Sequence, residues 1–89
     1  PIDARERMIA LKEMENRSRK VTQIFMEAPY RNNQFLDFLI KNLQHTTKLC
    51  VAVDIEKKGK EIIRSKPIKN WKPNEIELHK KPCIYLISG

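Results

Sequence analysis

An apolar run that halts at a proline and gives way to a helical pattern constrains this chain more than any other feature. In Thr22-Gln23-Ile24-Phe25-Met26-Glu27-Ala28-Pro29-Tyr30-Arg31, the unbroken Ile24-Phe25-Met26 run is what a strand covered on both faces, or nearly so, would show. Pro29 lacks the amide that a sheet ladder needs, so the strand ends there. Asn32 or Asn33 can then cap a helix in which Leu36, Leu39, Ile40 and Leu43 follow the i, i+3, i+4, i+7 spacing, with Phe35 and Phe38 widening the stripe. A strand feeding an amphipathic helix needs further strands for that helix to cover.

Those strands can be read downstream. After the turn His45-Thr46-Thr47, the short β-branched segment Leu49-Cys50-Val51-Ala52-Val53 predicts a central strand over residues 48–55, parallel to the first. Glu56-Lys57-Lys58-Gly59-Lys60 can close a tight turn with Gly59 at positive φ, and residues 61–66 would return as a polar antiparallel strand at the sheet edge. Pro67-Ile68-Lys69-Asn70-Trp71 reads as a short helix that stops before Pro73 and anchors Trp71 in the core. Pro82-Cys83-Ile84-Tyr85-Leu86-Ile87 is the last strand. At the start of the chain, Asp3 and Glu6 form a capping box, Ala4, Met8, Leu11 and Met14 a narrow buried stripe, and Glu13/Arg17 and Glu15/Arg19 exposed pairs. The expected fold is α/β in the α+β sense. One domain over residues 1–89 would hold a single mixed four-stranded sheet, with element order α-β-α-β-β-α-β and helices packed on the sheet.

Composition narrows the function. Eighty-nine residues leave room for one core, and a charged content of 33% beside 40% apolar residues fits a small globular domain. No run approaches the roughly 20 apolar residues of a membrane span, so a cytoplasmic location without membrane contact is expected. Cys50 and Cys83 sit inside apolar runs, as buried thiols do. His45 falls in a turn and His79 in a lysine-flanked loop, and neither cysteines nor histidines have metal-ligand spacing. No nucleophile–base set or phosphate-binding loop occurs, so no catalytic residue and no metal ligand is assigned. The 18 basic residues against 11 acidic ones give a formal +7, which attracts polyanions. Lys57, Lys58 and Lys60, with Lys80 and Lys81, are the phosphate-binding candidates of a non-specific RNA-binding module. Basic and acidic residues interleaved along the chain are also how an ordinary solvated surface reads.

The opening motif also carries a family resemblance. Phe25-x-Glu27-Ala28-Pro29-Tyr30-Arg31 is similar to the Phe-x-Glu-Ala/Ser/Thr-Pro-His/Tyr-Arg signature of the C-terminal domain in the tetrapyrrole-methylase superfamily, in its ribosomal RNA small-subunit methyltransferase I branch. Pro1-Ile2-Asp3, a charged helix ending Asn16-Arg17-Ser18-Arg19-Lys20, and Asn32-Asn33 extend the resemblance from Pro1 to Gly89. It implies a two-domain enzyme with S-adenosylmethionine between the domains, most of the cofactor site and its glycine-rich loops belonging to an N-terminal domain. This chain would lack that domain, and it holds only Gly59 and Gly89.

The resemblance places Tyr30 and Arg31 facing the interdomain cleft, and Val53, Asp54 and Ile55 leading into the cofactor loop. It makes the N-terminal methyltransferase domain the partner. The loop itself departs from the pattern. Family members continue with Thr, a small or apolar residue, Pro, then an acidic residue or Gln, where this chain has Glu56-Lys57-Lys58-Gly59-Lys60. Three lysines beside a cationic sulfonium add repulsion where close backbone approach is required. The chain alone is therefore expected to bind no S-adenosylmethionine and to be inactive. An excised or remodelled scaffold domain, whose polar turn serves folding only, is a second reading. Surface left bare by a missing domain would be repacked, exposed or covered by a homodimer.

Overall fold

In the computed structural model, which describes residues 4–26, 31–78 and 80–89, the order of elements is α1 (Ala4–Ser18), β1 (Gln23–Phe25), α2 (Asn32–Asn42), β2 (Lys48–Val53), β3 (Ile62–Pro67), a 3-10 turn (Ile68–Asn70) and β4 (Cys83–Ser88). The four strands form one sheet in the order β1-β4-β2-β3. Every neighbouring pair is antiparallel. The expected parallel relation of β1 to β2 survives as direction only, because β4 enters between them and pairs with both, and the sheet is not mixed in its ladders. A physical reason lies in the strands themselves. Cys83, Ile84, Tyr85, Leu86 and Ile87 are apolar on both faces and suit the interior of a sheet, whereas polar β3 and three-residue β1 suit its edges.

One face of the sheet carries the core. Leu49, Val51 and Val53 of β2 and Cys83, Tyr85 and Ile87 of β4 point the same way and are buried against Leu36, Leu39 and Leu43 of α2 and Leu11 of α1. Phe25 and Tyr85 stack with ring centroids 6.0 Å apart, and both meet Phe35 edge-on, at 5.4 and 5.0 Å. Trp71 closes the far side as expected, its indole N–H donating to the carbonyls of Leu49 and Lys66 at 3.2 and 3.1 Å.

The short helix expected after Pro67 is present as a 3-10 turn, because Ile68 N–H donates to the Thr47 carbonyl and Lys69 N–H to the His45 carbonyl, drawing those amides onto the loop before β2. Three local expectations need correction. Ile24 is 64% exposed, so the apolar run at β1 is covered on the Phe25 face only. Glu15 is not a surface partner of Arg19. It is buried, and one carboxylate oxygen accepts from the Gln44 amide at 2.6 Å and the Thr47 hydroxyl at 2.7 Å, tying α1 to the entrance of β2. Asn32 caps nothing: it is the first residue of α2, fully buried, and its side chain works at long range. The Glu13/Arg17 pair forms as read, at 3.9 Å, and the Asp3 half of the capping box lies outside the described residues.

Candidate functional site

The end of the sheet where β2 finishes and β4 starts gathers most of the residues singled out by sequence. Val53 lies opposite Cys83, and the ladder runs one step further as Asp54 N–H donates to the Pro82 carbonyl at 3.0 Å. Asp54 then turns the chain sharply. Its φ of 53° is in the left-handed region that aspartate tolerates better than most residues, and its carbonyl accepts from Lys57 N–H at 2.9 Å. The turn closes with Lys60 N–H donating to the Lys57 carbonyl and with Gly59 at φ 85°, the positive value read from sequence.

The start of α2 is fastened to the same end. Asn32 Nδ2 donates to the Lys81 carbonyl at 2.7 Å, and Asn32 Oδ1 accepts from the Tyr85 hydroxyl at 2.8 Å. Asn32 thereby joins helix, sheet and the approach to β4, a role that sequence reasoning missed. A buried position at a helix start with no capping bond is a tertiary arrangement that local spacing does not encode. Arg31, exposed and immediately before α2, is held at this end by the Asn32 anchor.

The candidate residues divide accordingly. Val53 is wholly buried and belongs to the core, while Ile55 is 47% exposed. Tyr30 lies outside the described residues. Lys57, Lys58 and Lys60 are exposed on the β2–β3 turn. Lys80 is exposed and Lys81 half-buried just before β4, so strand register carries both lysine groups to one end of the molecule. His45 is exposed in its turn. Beside them, Met26, Ile55, Glu56, Pro82, Cys83 and Ile84 line an open cleft of about 160 Å³.

Asp54 is the unusual member. It is only 6% exposed, and its Oδ1 has no hydrogen-bond partner among the described residues. A buried polar atom left unpaired costs about 1–3 kcal/mol, more for a charged group, so the fold carries this oxygen at a loss. Its charge is felt locally: burial pushes the Cys83 thiol up to about 11, and the Asp54 carboxylate adds to the rise.

Among the described residues no three His, Cys, Asp or Glu side chains group as ligands would, and no helix is long and apolar enough to cross a membrane. A β-carbon placed on Gly59 would meet nothing within 4 Å, so within this chain it is the positive φ of 85° and not crowding that calls for glycine. Set against known proteins, neither a family model nor a curated protein matches this chain.

Proposed function

We propose that this chain is the second domain of a two-domain, S-adenosylmethionine-dependent ribosomal RNA methyltransferase, inactive by itself and completed by an N-terminal methyltransferase domain docked at the β2–β4 end. The observation that carries the reading is Asp54. A carboxylate oxygen buried without a donor, on a strained turn, beside an apolar cleft and near the helix start that bears Arg31, is what a lobe looks like before its partner supplies the missing donor. The motif through Arg31, and Val53, Asp54 and Ile55 leading out of β2 into its turn, support that arrangement.

The residues of this chain do not by themselves fit the cofactor. Lys57, Lys58 and Lys60, exposed on the turn after Asp54, would repel a sulfonium. Methyl transfer needs positioning and a dry pocket more than an acid or base. In this reading the chain supplies one apolar wall, through Met26, Ile55, Pro82 and Ile84, and no step of the transfer is assigned to it.

Calorimetric titration with S-adenosylmethionine tests the reading. Alone, the chain is expected to give no binding heat at micromolar concentrations. Mixed with the separately produced first domain of a small-subunit methyltransferase I, it should bind more tightly than that domain does alone. A mixture no better than the first domain by itself overturns the proposal, and heat from the chain alone overturns its incompetence.

The convergence of Lys57, Lys58 and Lys60 with Lys80 and Lys81 supports a second reading, a basic end that holds RNA through phosphates. Its affinity for single-stranded RNA in a gel shift should then fall steeply from 50 to 200 mM salt, and a flat response removes its electrostatic basis.

A further inference from the structure

The fold builds a second basic surface from residues that lie far apart in the chain. At the end of the sheet where β2 starts and β3 and β4 finish, Lys48 has Ser88 on one side and Pro67 on the other. Gly89 follows Ser88 and donates its N–H to the Ser18 carbonyl at 2.9 Å. It lies so close to the end of α1 that a β-carbon on it would stand 2.8 Å from the Arg19 Cα. Lys69, just beyond Pro67, donates its N–H to the His45 carbonyl at 3.1 Å. Glu15 draws α1 onto the same turn through Gln44 and Thr47, and the Arg19 guanidinium donates to Gln44 Oε1 at 2.6 Å. Arg19, Lys20, His45, Lys48 and Lys69 are all exposed. With neighbouring strands about 4.8 Å apart, their backbones fall within roughly 15 Å of one another.

The positive charge here is little opposed. Among the described residues, the acids of this end are Glu13, paired with Arg17 at 3.9 Å, and Glu15, buried and 3.5 Å from Lys12 Nζ. No ion pair among the described residues takes up Arg19, Lys20, Lys48 or Lys69. The opposite end is more mixed, because Lys57, Lys58, Lys60, Lys80 and Lys81 share it with Asp54, Glu56 and Glu61. Runs of lysine in the sequence therefore mark the weaker of the two basic ends.

We propose that this end holds a single strand of RNA by its phosphates, without reading the bases. An RNA strand carries a negative charge on every nucleotide, and cations at the ends of three neighbouring strands and of α1 can meet several at once. The Arg19 guanidinium and the lysine ammonium groups are donors that suit phosphate oxygens. No aromatic ring is exposed among the described residues, so bases have nothing to stack on. Of the large apolar residues exposed among the described ones, Val21 alone lies at this end, too little for the buried centre of a protein interface. The inference extends the ribosomal RNA reading above, in which the first domain covers the β2–β4 end and RNA has to be held elsewhere. Its test needs neither that domain nor a cofactor, so each can fail without the other.

Fluorescence anisotropy of a labelled oligouridylate of about twelve nucleotides, titrated with the 89-residue chain, tests the proposal. Three to four phosphate contacts should make the affinity fall about 20- to 50-fold from 50 to 200 mM salt. Lys48→Gln combined with Lys69→Gln should weaken binding at 50 mM about tenfold or more and flatten the log–log salt slope by about 1.4. Lys20→Gln, in a different segment, should flatten it by about 0.7. Lys57→Gln combined with Lys58→Gln, at the other end, should change the affinity less than about threefold. All five side chains are exposed, so the thermal transitions should stay in place. Absence of binding at 50 mM overturns the proposal. So does a larger loss from the Lys57 and Lys58 pair, which assigns RNA to the opposite end, or an equal loss from both pairs, which reduces the attraction to net charge. A polyglutamate of matching charge that binds as tightly also overturns it and gives the surface to an acidic protein.

Discussion

The hydroxyl of Tyr85 donates to Oδ1 of Asn32 at 2.8 Å, a bond that spans 53 residues of chain and joins the middle of the central strand to the first residue of α2. Both side chains are fully buried. Tyr85→Phe removes the donor and strands the amide oxygen, which should cost about 1–3 kcal/mol and lower the melting temperature by several degrees. Asn32→Ala should cost more, since it also leaves the Lys81 carbonyl with only the weak thiol donor of Cys83. A double-mutant cycle on chemical denaturation is expected to show the two losses to be less than additive.

Glu15 is the second long-range fastener. Its carboxylate accepts from the Gln44 amide and the Thr47 hydroxyl and lies 3.5 Å from Lys12 Nζ. Glu15→Leu keeps the volume but deprives the buried Thr47 hydroxyl and the part-buried Gln44 amide of their acceptor, at about 2–4 kcal/mol. Hydrogen exchange should report the damage first in α1, and later in β2 and β4. Uniform loss of protection would instead make α1 part of the cooperative core.

Acid sensitivity should trace to Glu75. Burial alone would raise its carboxyl. Hydrogen bonds from Lys66 at 2.6 Å, the Lys72 amide at 2.8 Å and Arg64 at 2.9 Å outweigh that effect and hold it at about 2. A carboxyl held below its unfolded value stabilises the fold at pH above that value and loses the contribution as pH falls toward the folded one. The gap in stability between the natural chain and Glu75→Gln is thus expected to be on the order of 2–3 kcal/mol at neutral pH and to close between about pH 5 and pH 2. A gap independent of pH would place the effect in packing.

Asp54 tests whether the β2–β4 end is built for a partner at the expense of the free fold. Asp54→Asn retains a side chain suited to φ 53° and removes the charge from a buried oxygen without a donor. The free chain should become more stable, with its melting temperature raised by a few degrees. A fall would mean that the carboxylate stabilises this fold on its own.

Thiol chemistry separates the two cysteines. Cys83 is 5% exposed, donates to the Lys81 carbonyl, and has a thiol raised to about 11, so at pH 8 only about one molecule in a thousand carries the thiolate. Cys50 is half-buried on the outer face. Dilute native protein should release one equivalent of thionitrobenzoate from Ellman's reagent quickly and the second only on unfolding.

What sequence made legible was local. The stripe of α2, the hairpin from β2 through Gly59 into β3, and Trp71 as a core anchor follow from periodicity and turn chemistry that act over a few residues. Three features were not legible. Nothing in the run from Cys83 to Ile87 says which strands it separates, because pairing across 60 residues is decided by which edges remain open. Glu15 and Asn32 look like helix-surface residues until Thr47, Gln44, Lys81 and Tyr85 arrive from elsewhere to satisfy them. At the candidate site, Asp54 could be named by its place after an apolar strand, while its isolation could not, since a missing donor is a property of the whole neighbourhood.

The position of β4 has a further consequence for the speed of folding. It is the strand that bridges β1 to the β2–β3 hairpin, so the sheet closes only when residues 83–88 have found partners far away in sequence on both sides. Closing such long loops costs entropy before the contacts repay it, which makes this sheet slower to assemble than a run of hairpins of the same size.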